Sequence, residues 1–163
     1  MSTVLMEWLL WLFVINVGVA FGAGVYESRV LVPQWLSGSR IEGYRWHRDA
    51  AVAADVGMKF WAFVTTMPLS LLTLASLIAA FWTLDPLRAW WLGAVAAALV
   101  DRLMTFGYFI PTMIGLMRNA DGDDPAAIAT ARQWVRLGAV RHAATLIAWL
   151  AAMRAFALFY QQV

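Results

Sequence analysis

Four long apolar runs constrain the fold of this chain more than any other feature of its sequence. Each reaches the roughly 20 residues that a helix needs to cross about 30 Å of hydrocarbon. Hydrophobic residues make up 63% of the 163 residues, which is more than a soluble domain of this length carries. The sequence therefore predicts an all-α integral membrane protein, a four-helix bundle that forms a single transmembrane domain over residues 1–163. The predicted spans cover residues 4–26, 57–82, 88–117 and 133–160.

Basic residues are distributed unevenly around the connections between these spans. Those in or beside the first and third connections are Arg29, Arg40, Arg45, Arg48, Lys59, Arg118, Arg132 and Arg136. The second connection has only Arg88. By the positive-inside rule the first and third connections are cytoplasmic, so both termini lie on the extracytoplasmic side. We expect a multi-pass protein of a bacterial inner membrane, surrounded by membrane lipid.

Composition excludes several classes of function. The absence of cysteine excludes disulfides, thiolate catalysis and cysteine-ligated metals. A net charge of +2 with dispersed basic residues argues against nucleic acid as a partner. Residues 1–7 contain no Lys or Arg, unlike the opening of a signal peptide, so we expect the first span to be retained.

Ionisable side chains inside the apolar runs mark a candidate site. Arg141 and His142 are adjacent in the fourth run, and Asp101 and Arg102 lie near the middle of the third. Such groups are costly at membrane depth unless they face the interior of a bundle and find partners. We therefore predict that Asp101, Arg141 and His142 converge on a common cavity. Arg102, about 100° around its helix from Asp101, is expected to face a different neighbour.

Helical periodicity adds one small or polar stripe from each helix to this interior. On the third span the stripe continues from Asp101 at spacings of four and three residues, and it includes Thr112. The residues predicted to bind a ligand there are Glu27, Asn16, Thr105, Tyr108, Trp134 and Thr145.

The partner of Arg141 is left open between two carboxylates. Asp101 lies about 12 Å from Arg141 along the membrane normal at 1.5 Å per residue, a gap that a long side chain and helix tilt can close. Glu27 lies nearer the depth of Arg141. A buried pair between Asp101 and an arginine can also serve only to hold the helices in register.

Proline, glycine and charge patterns predict several structural details. Pro33 is expected to end the first helix, and residues 37–39 to form a flexible turn. Residues 44–56 are typical of a short interfacial helix, with His47 as a solvated loop histidine. Pro68 frees a backbone carbonyl that a neighbouring helix must satisfy.

Further pairs predict contacts between spans. Glu7 and Arg154 are expected at similar depth, where they can form an ion pair. Gly18 and Gly22 let another helix approach closely, which we interpret as packing within the chain rather than a dimer motif. The sequence leaves a homo-oligomer open.

Three stretches resemble one known family. They are residues 22–35 (GAGVYESRVLVPQW), the segment from Thr105 to Pro111 with Thr112, and Trp134 followed by Arg141. This pattern, over most of the chain, resembles the anthrone-oxygenase-like family of small four-span membrane proteins, many of which have no assigned function. Two positions depart from the family pattern, because Met113 and Ala139 stand where asparagine is usual.

The resemblance implies an oxygenase-like enzyme that acts on a lipophilic aromatic or quinone-like small molecule and needs no cofactor. A base removes a proton next to a carbonyl, a cation stabilises the oxyanion, and the carbanion reacts with oxygen. His142 suits the base and Arg141 the oxyanion, because imidazole titrates near neutrality and guanidinium stays charged. Asp101 can orient His142 or neutralise Arg141.

Two alternatives remain at this point. His142, Glu27, Asp101 and His47 can in principle ligate a first-row metal, but two histidines without a spacing pattern are no metal signature. The chain can also be a non-catalytic four-helix protein, a carrier or a complex subunit, in which buried ion pairs hold the helices together.

Overall fold

The structure is a computed structural model that describes residues 2–39, 41, 43–119 and 123–162. This part of the chain is predominantly helical, which confirms the predicted fold class at that level. Four of its helical elements are long and apolar enough to cross a membrane, which indicates an integral multi-pass membrane protein. We call these elements spans one to four: Thr3–Trp35, Gly57–Ala80, Leu87–Arg118 and Pro125–Gln161.

The spans are built from α-helices and three π-helical segments, and a small hairpin joins the first two spans. In chain order the elements are α1 (Thr3–Tyr26), the first π segment (Glu27–Leu31), α2 (Val32–Trp35), β1 (Leu36–Ser39), β2 (Gly43–Trp46), α3 (Arg48–Ala54), the second π segment (Gly57–Thr66), α4 (Met67–Ala80), α5 (Leu87–Met104), the third π segment (Thr105–Phe109), α6 (Ile110–Asn119) and α7 (Pro125–Gln162).

Local sequence signals explain where the first and last helices begin. Ser2 precedes α1, and its hydroxyl accepts a backbone N–H of the first turn at 3.4 Å. Asp124 precedes α7, and its carboxylate accepts an N–H of the first turn at 2.9 Å. Pro125 opens α7 at a position where a helix needs no N–H donor. Both helices therefore start at N-caps that their own sequences supply.

The four spans pack in a closed ring. Span four contacts spans one and three, and span two contacts the same two spans from the other side. At the junction of α5 and α7 the buried side chains are small, and include Ala94, Ala98, Ala148, Ala152 and Ala155. Small side chains let two helix backbones approach closely, which suits the packing of helices in a membrane.

Gly18 contributes to the packing of span one on span four. A Cβ atom at Gly18 would lie 2.8 Å from Nε1 of Trp149, so the indole occupies the space that a side chain would need. Nothing lies within 4 Å of a Cβ placed at Gly22. The described contacts therefore place Gly18, and not Gly22, against another helix of the same chain.

A β-hairpin and α3 cover one end of the bundle, where the sequence predicts a flexible turn. β1 pairs antiparallel with β2, with Leu36 opposite Trp46, and Gly38 has the positive φ of +91° that favours glycine. An isolated hairpin is marginally stable. This one is anchored because Trp35 and Trp46 are buried in a second apolar core with Trp134 of span four.

The helix predicted over residues 44–56 is shorter than expected, because its first residues belong to β2. His47, predicted as a solvated loop residue, lies between β2 and α3. Its Nε2 atom is 2.6 Å from the hydroxyl oxygen of Ser37 in β1. The ring is therefore held by the hairpin.

Pro33 does not end the first helix, contrary to the prediction. It lies at the start of α2, where the chain passes from the first π segment into an α-helix without leaving helical backbone angles. The preceding π segment bonds one residue further back, from the N–H of Val32 to the carbonyl of Glu27. Span one thus continues to Trp35.

The end of the bundle that carries the two termini has a different polar contact from the predicted ion pair. Tyr160 donates its hydroxyl hydrogen to Oε1 of Glu7, and Nε1 of Trp11 donates to the same hydroxyl at 3.4 Å. Arg154 is exposed on α7 and forms no ion pair within the described residues. The tyrosine reaches Glu7 because α1 and α7 are neighbours in the ring.

Candidate functional site

A cavity of about 280 Å³ lies within the bundle, next to the end that carries the hairpin and α3. Its size is near the lower limit of ligand pockets and suits a small ring compound. Its charged or imidazole lining residues are Glu27, Asp55, Asp101, Arg102, Arg141 and His142. Aromatic lining residues are Trp61, Phe109 and Trp134, and most of the remainder are aliphatic or methionine.

Arg141 is paired with Glu27, which settles the choice that the sequence left open. The two side chains are 12% and 6% exposed, and Nη2 of Arg141 lies 3.7 Å from Oε2 of Glu27. The other carboxylate oxygen accepts the indole hydrogen of Trp61 at 2.9 Å. The guanidinium carbon also lies 4.3 Å from the ring centre of Phe109 and 5.7 Å from that of Trp61, in cation–π contact.

Asp101 is paired with Arg102, its neighbour in sequence, although Arg102 was expected to face elsewhere. Both Nε, at 2.9 Å, and Nη2 of Arg102 donate to Oδ2 of Asp101. Nη1 reaches the carbonyl oxygen of Thr66 at 3.4 Å, and the hydroxyl of Thr145 donates to Oδ1 of Asp101 at 3.2 Å. A long arginine side chain can fold back along its own helix, which its Cα direction does not reveal. This pair links spans two, three and four.

His142 lies on the cavity wall without a hydrogen-bond partner at Nε2 among the described residues, and that atom is buried. A Cβ at Gly24 would lie 2.7 Å from Nε2, so the missing side chain at Gly24 makes room for the ring. No hydrogen bond joins His142 or the Arg141 side chain to Asp101 in the described part of the chain. Neither role that the sequence suggests for Asp101 is therefore supported by a direct bond.

Thr105, Thr145 and Trp134 line the cavity, as predicted. The hydroxyl of Thr105 is buried and has no hydrogen-bond partner within the described ranges. Nε1 of Trp134 donates to the carbonyl of Phe109 at 3.2 Å, and Thr145 bonds to Asp101. Of the three, only Thr105 has a side-chain polar atom without any hydrogen-bond partner within the described ranges.

Tyr108 and Thr112 lie outside the lining, where the sequence places them inside. Phe109 and Met113 line the cavity instead. The cause is the third π segment, because a π turn accommodates one more residue than an α turn and rotates every later residue around the helix. A stripe computed from a 3.6-residue period is therefore correct up to Thr105 and displaced after it.

Asn16 also lies outside the lining. Its Nδ2 atom donates to the backbone carbonyl of Val64 at 3.0 Å. That carbonyl lies in the second π segment, in the turn before Pro68. The bond therefore joins span one to span two next to Pro68, and the prediction that a neighbouring helix satisfies the carbonyl freed by Pro68 stays a prediction.

All three π segments contribute to the cavity wall, with Glu27 from the first, Trp61 and Thr66 from the second, and Thr105 and Phe109 from the third. π turns are rare and recur at functional sites. Sequence reasoning missed Phe109, Met113 and Arg102 as lining residues. No signal in a 3.6-residue period distinguishes them from their neighbours.

The cavity opens between spans two and three. Met58, Ile110 and Ile114 belong to its wall, and these residues are also 61%, 37% and 39% exposed. Elsewhere the two spans are in contact, through α4 and α5. In a bilayer, an opening between apolar side chains of two spans would face lipid.

Fold and cavity together indicate a helical integral membrane protein with an internal, mostly apolar cavity. The polar groups at hand are two guanidinium groups, an imidazole, hydroxyls and three carboxylates, two of which are ion-paired. Within the described residues no group of three or more His, Asp or Glu side chains is arranged to hold a metal. Comparison of the chain with known protein families, with curated proteins and with solved structures found no match.

Proposed function

We propose that the protein is a membrane-embedded, oxygenase-like enzyme that acts on a lipophilic aromatic or quinone-like molecule held in the cavity. One observation carries the proposal. Nε2 of His142 is buried at the wall of a mostly apolar cavity and has no hydrogen-bond partner among the described residues. Arg141 lines the same cavity, and its ion pair with Glu27, at 3.7 Å, is too long to be a hydrogen bond. Buried polar groups normally find hydrogen-bond partners, so an imidazole nitrogen without one at a cavity wall is suited to a ligand.

The chemistry follows from these two groups. His142 takes a proton from a ring methylene that is conjugated with a carbonyl across the ring, and the Arg141 guanidinium stabilises the oxyanion that forms at that carbonyl. The carbanion transfers its electrons to oxygen and forms a C–O bond, giving a peroxide that takes the proton back from the imidazolium. Loss of water then leaves a new carbonyl, so that one CH₂ and one O₂ become one C=O and one H₂O. In this scheme Asp101 is a positioning residue that acts through Thr145 of span four.

The resemblance to the anthrone-oxygenase-like family supports this proposal. Glu27, Trp134 and Arg141 belong to the stretches that carry the resemblance, and all three line the cavity. A planar aromatic substrate also suits the walls formed by Trp61 and Phe109.

The proposed setting is a bacterial inner membrane, with both termini on the extracytoplasmic side. The basic residues around the hairpin, α3 and the connection before α7 support this orientation. The cavity then lies in the cytoplasmic half of the bilayer.

Oxygen uptake by the purified protein with an anthrone tests the proposal. His142→Ala is expected to lower the rate at least about 100-fold, the usual contribution of a general base. The matched control is His47→Ala, because His47 is the only other histidine and bonds to Ser37 outside the cavity. Equal turnover by His142→Ala and the unaltered protein would remove His142 from the mechanism.

A non-catalytic role, as a carrier or complex subunit, is the second candidate. The network of Asp101, Arg102 and Thr145 favours it, because that network joins three spans without needing a ligand. Under this alternative the protein consumes no oxygen, whether or not it binds an anthrone or a quinone. The oxygen-uptake measurement therefore separates the two candidates.

A further inference from the structure

The charged side chains in the interior of the cavity balance one another. Glu27 lies opposite Arg141, and Asp101 is bonded to Arg102, so the four formal charges sum to zero. The remaining charged lining residue is Asp55, which is partly exposed and lies in the short link between α3 and span two. Its charge is negative. The cavity thus has no excess positive charge for an anion.

Arg141 nevertheless keeps unused hydrogen-bond donors. A guanidinium has five N–H donors, and the carboxylate of Glu27, at 3.7 Å, is too distant to accept one. No other acceptor lies within hydrogen-bond distance among the described residues. The cavity therefore offers donors to a ligand oxygen without offering an excess positive charge.

These two features define the chemical class of the ligand. An ion that enters a low-dielectric site without a compensating charge loses its hydration, which is unfavourable. A neutral carbonyl loses far less and gains the free donors of Arg141. We propose that the cavity selects an uncharged molecule with a carbonyl or phenol oxygen, and that Glu27 is the residue that excludes anions. This inference rests on the proposed function and names its substrate class.

The test compares two probes that differ by one charge, anthraquinone and its monocarboxylate. Dissociation constants are measured in lipid nanodiscs from the quenching of tryptophan fluorescence. The quantity of interest is the ratio of the two constants, and how it changes in Glu27→Gln. Because both proteins face the same lipid, differences in partition between the probes cancel in this comparison.

Glu27→Gln leaves the charge of Arg141 uncompensated. We expect it to improve the relative affinity for the carboxylate at least about tenfold. The control is Glu7→Gln, the same change at the opposite end of the bundle, where Glu7 contacts Tyr160 and not the cavity. It should leave the ratio unchanged. An unchanged ratio in Glu27→Gln would overturn the inference.

A second measurement uses the unaltered protein, in case the variant does not fold. It adds a third probe, a cationic aminomethyl derivative of anthraquinone. Each measured affinity is corrected for partition of the probe into protein-free nanodiscs. Both charged probes should bind at least about tenfold more weakly than anthraquinone. Equal or tighter binding of the carboxylate overturns the charge selectivity but not the proposed enzyme. Binding of none of the three probes, together with no oxygen uptake, overturns both.

Discussion

Gly24 and His142 compete for the same space in the cavity wall. An alanine at position 24 would bring its Cβ to 2.7 Å from Nε2, closer than real Cβ contacts allow. The imidazole must then turn away, and its nitrogen loses its place beside Arg141. Gly24 is thus a specific requirement of the site rather than of the helix.

Gly24→Ala is therefore expected to lower anthrone-dependent oxygen uptake at least about tenfold while the protein stays folded, since alanine favours helix by up to about 1 kcal/mol. Gly22→Ala is the matched control, because nothing lies within 4 Å of a Cβ placed there. Oxygen uptake and thermal unfolding of both variants in detergent check the prediction. Full activity in Gly24→Ala would show that the position of His142 does not matter.

Asn16 has a structural role that can be measured separately. Asn16→Ala leaves the carbonyl of Val64 without its donor, which we expect to cost about 1–3 kcal/mol in the free energy of unfolding. Ligand affinity should change little, because Asn16 does not line the cavity. Denaturant unfolding in mixed micelles gives the energy. Thr130→Ala, which removes only a bond within one helix, is the control and should be near neutral.

At the scale of elements, the π segments determine which side chains reach the cavity. Their positions do not follow from hydropathy, because a π turn has the same composition as the α-helix around it. The stripe through Asp101 and Thr105 is correctly predicted, but at the third π segment Phe109 lines the cavity where Tyr108 was predicted to do so.

The sequence analysis did not predict the hairpin, for a related reason. β1 and β2 are short, and the tryptophan core that anchors them is assembled from distant parts of the chain.

The opening between spans two and three leads to a test of ligand access. Met58→Cys with Ile114→Cys places one thiol on each side of it, and the chain has no cysteine of its own. A bifunctional maleimide that cross-links the two thiols blocks the opening. Because anthraquinone dissolves in lipid and is expected to enter from the bilayer, the cross-link should slow its binding at least about tenfold. Stopped-flow quenching of tryptophan fluorescence gives the rate. Each single-cysteine variant with the same reagent is the control, and an unchanged rate would exclude this route.

At the scale of the whole molecule, the basic residues predict the orientation. Ile41 near the hairpin is 97% exposed, and Leu84 in the turn between spans two and three is 74% exposed. A membrane-impermeant maleimide should label Leu84→Cys in intact bacterial cells, and Ile41→Cys only after lysis. The opposite pattern would reverse the proposed topology and place the cavity in the outer half of the bilayer.

The sequence by itself determined the four apolar spans and the ionisable residues inside them, because hydropathy and side-chain charge are local properties. Only the tertiary structure decided the partners. Arg141 pairs with Glu27, Arg102 turns back to Asp101, and Phe109 takes the place predicted for Tyr108. These choices depend on which helices become neighbours and on where an extra residue enters a turn. Both arise from the packing of the whole bundle, which no single stretch of the chain contains.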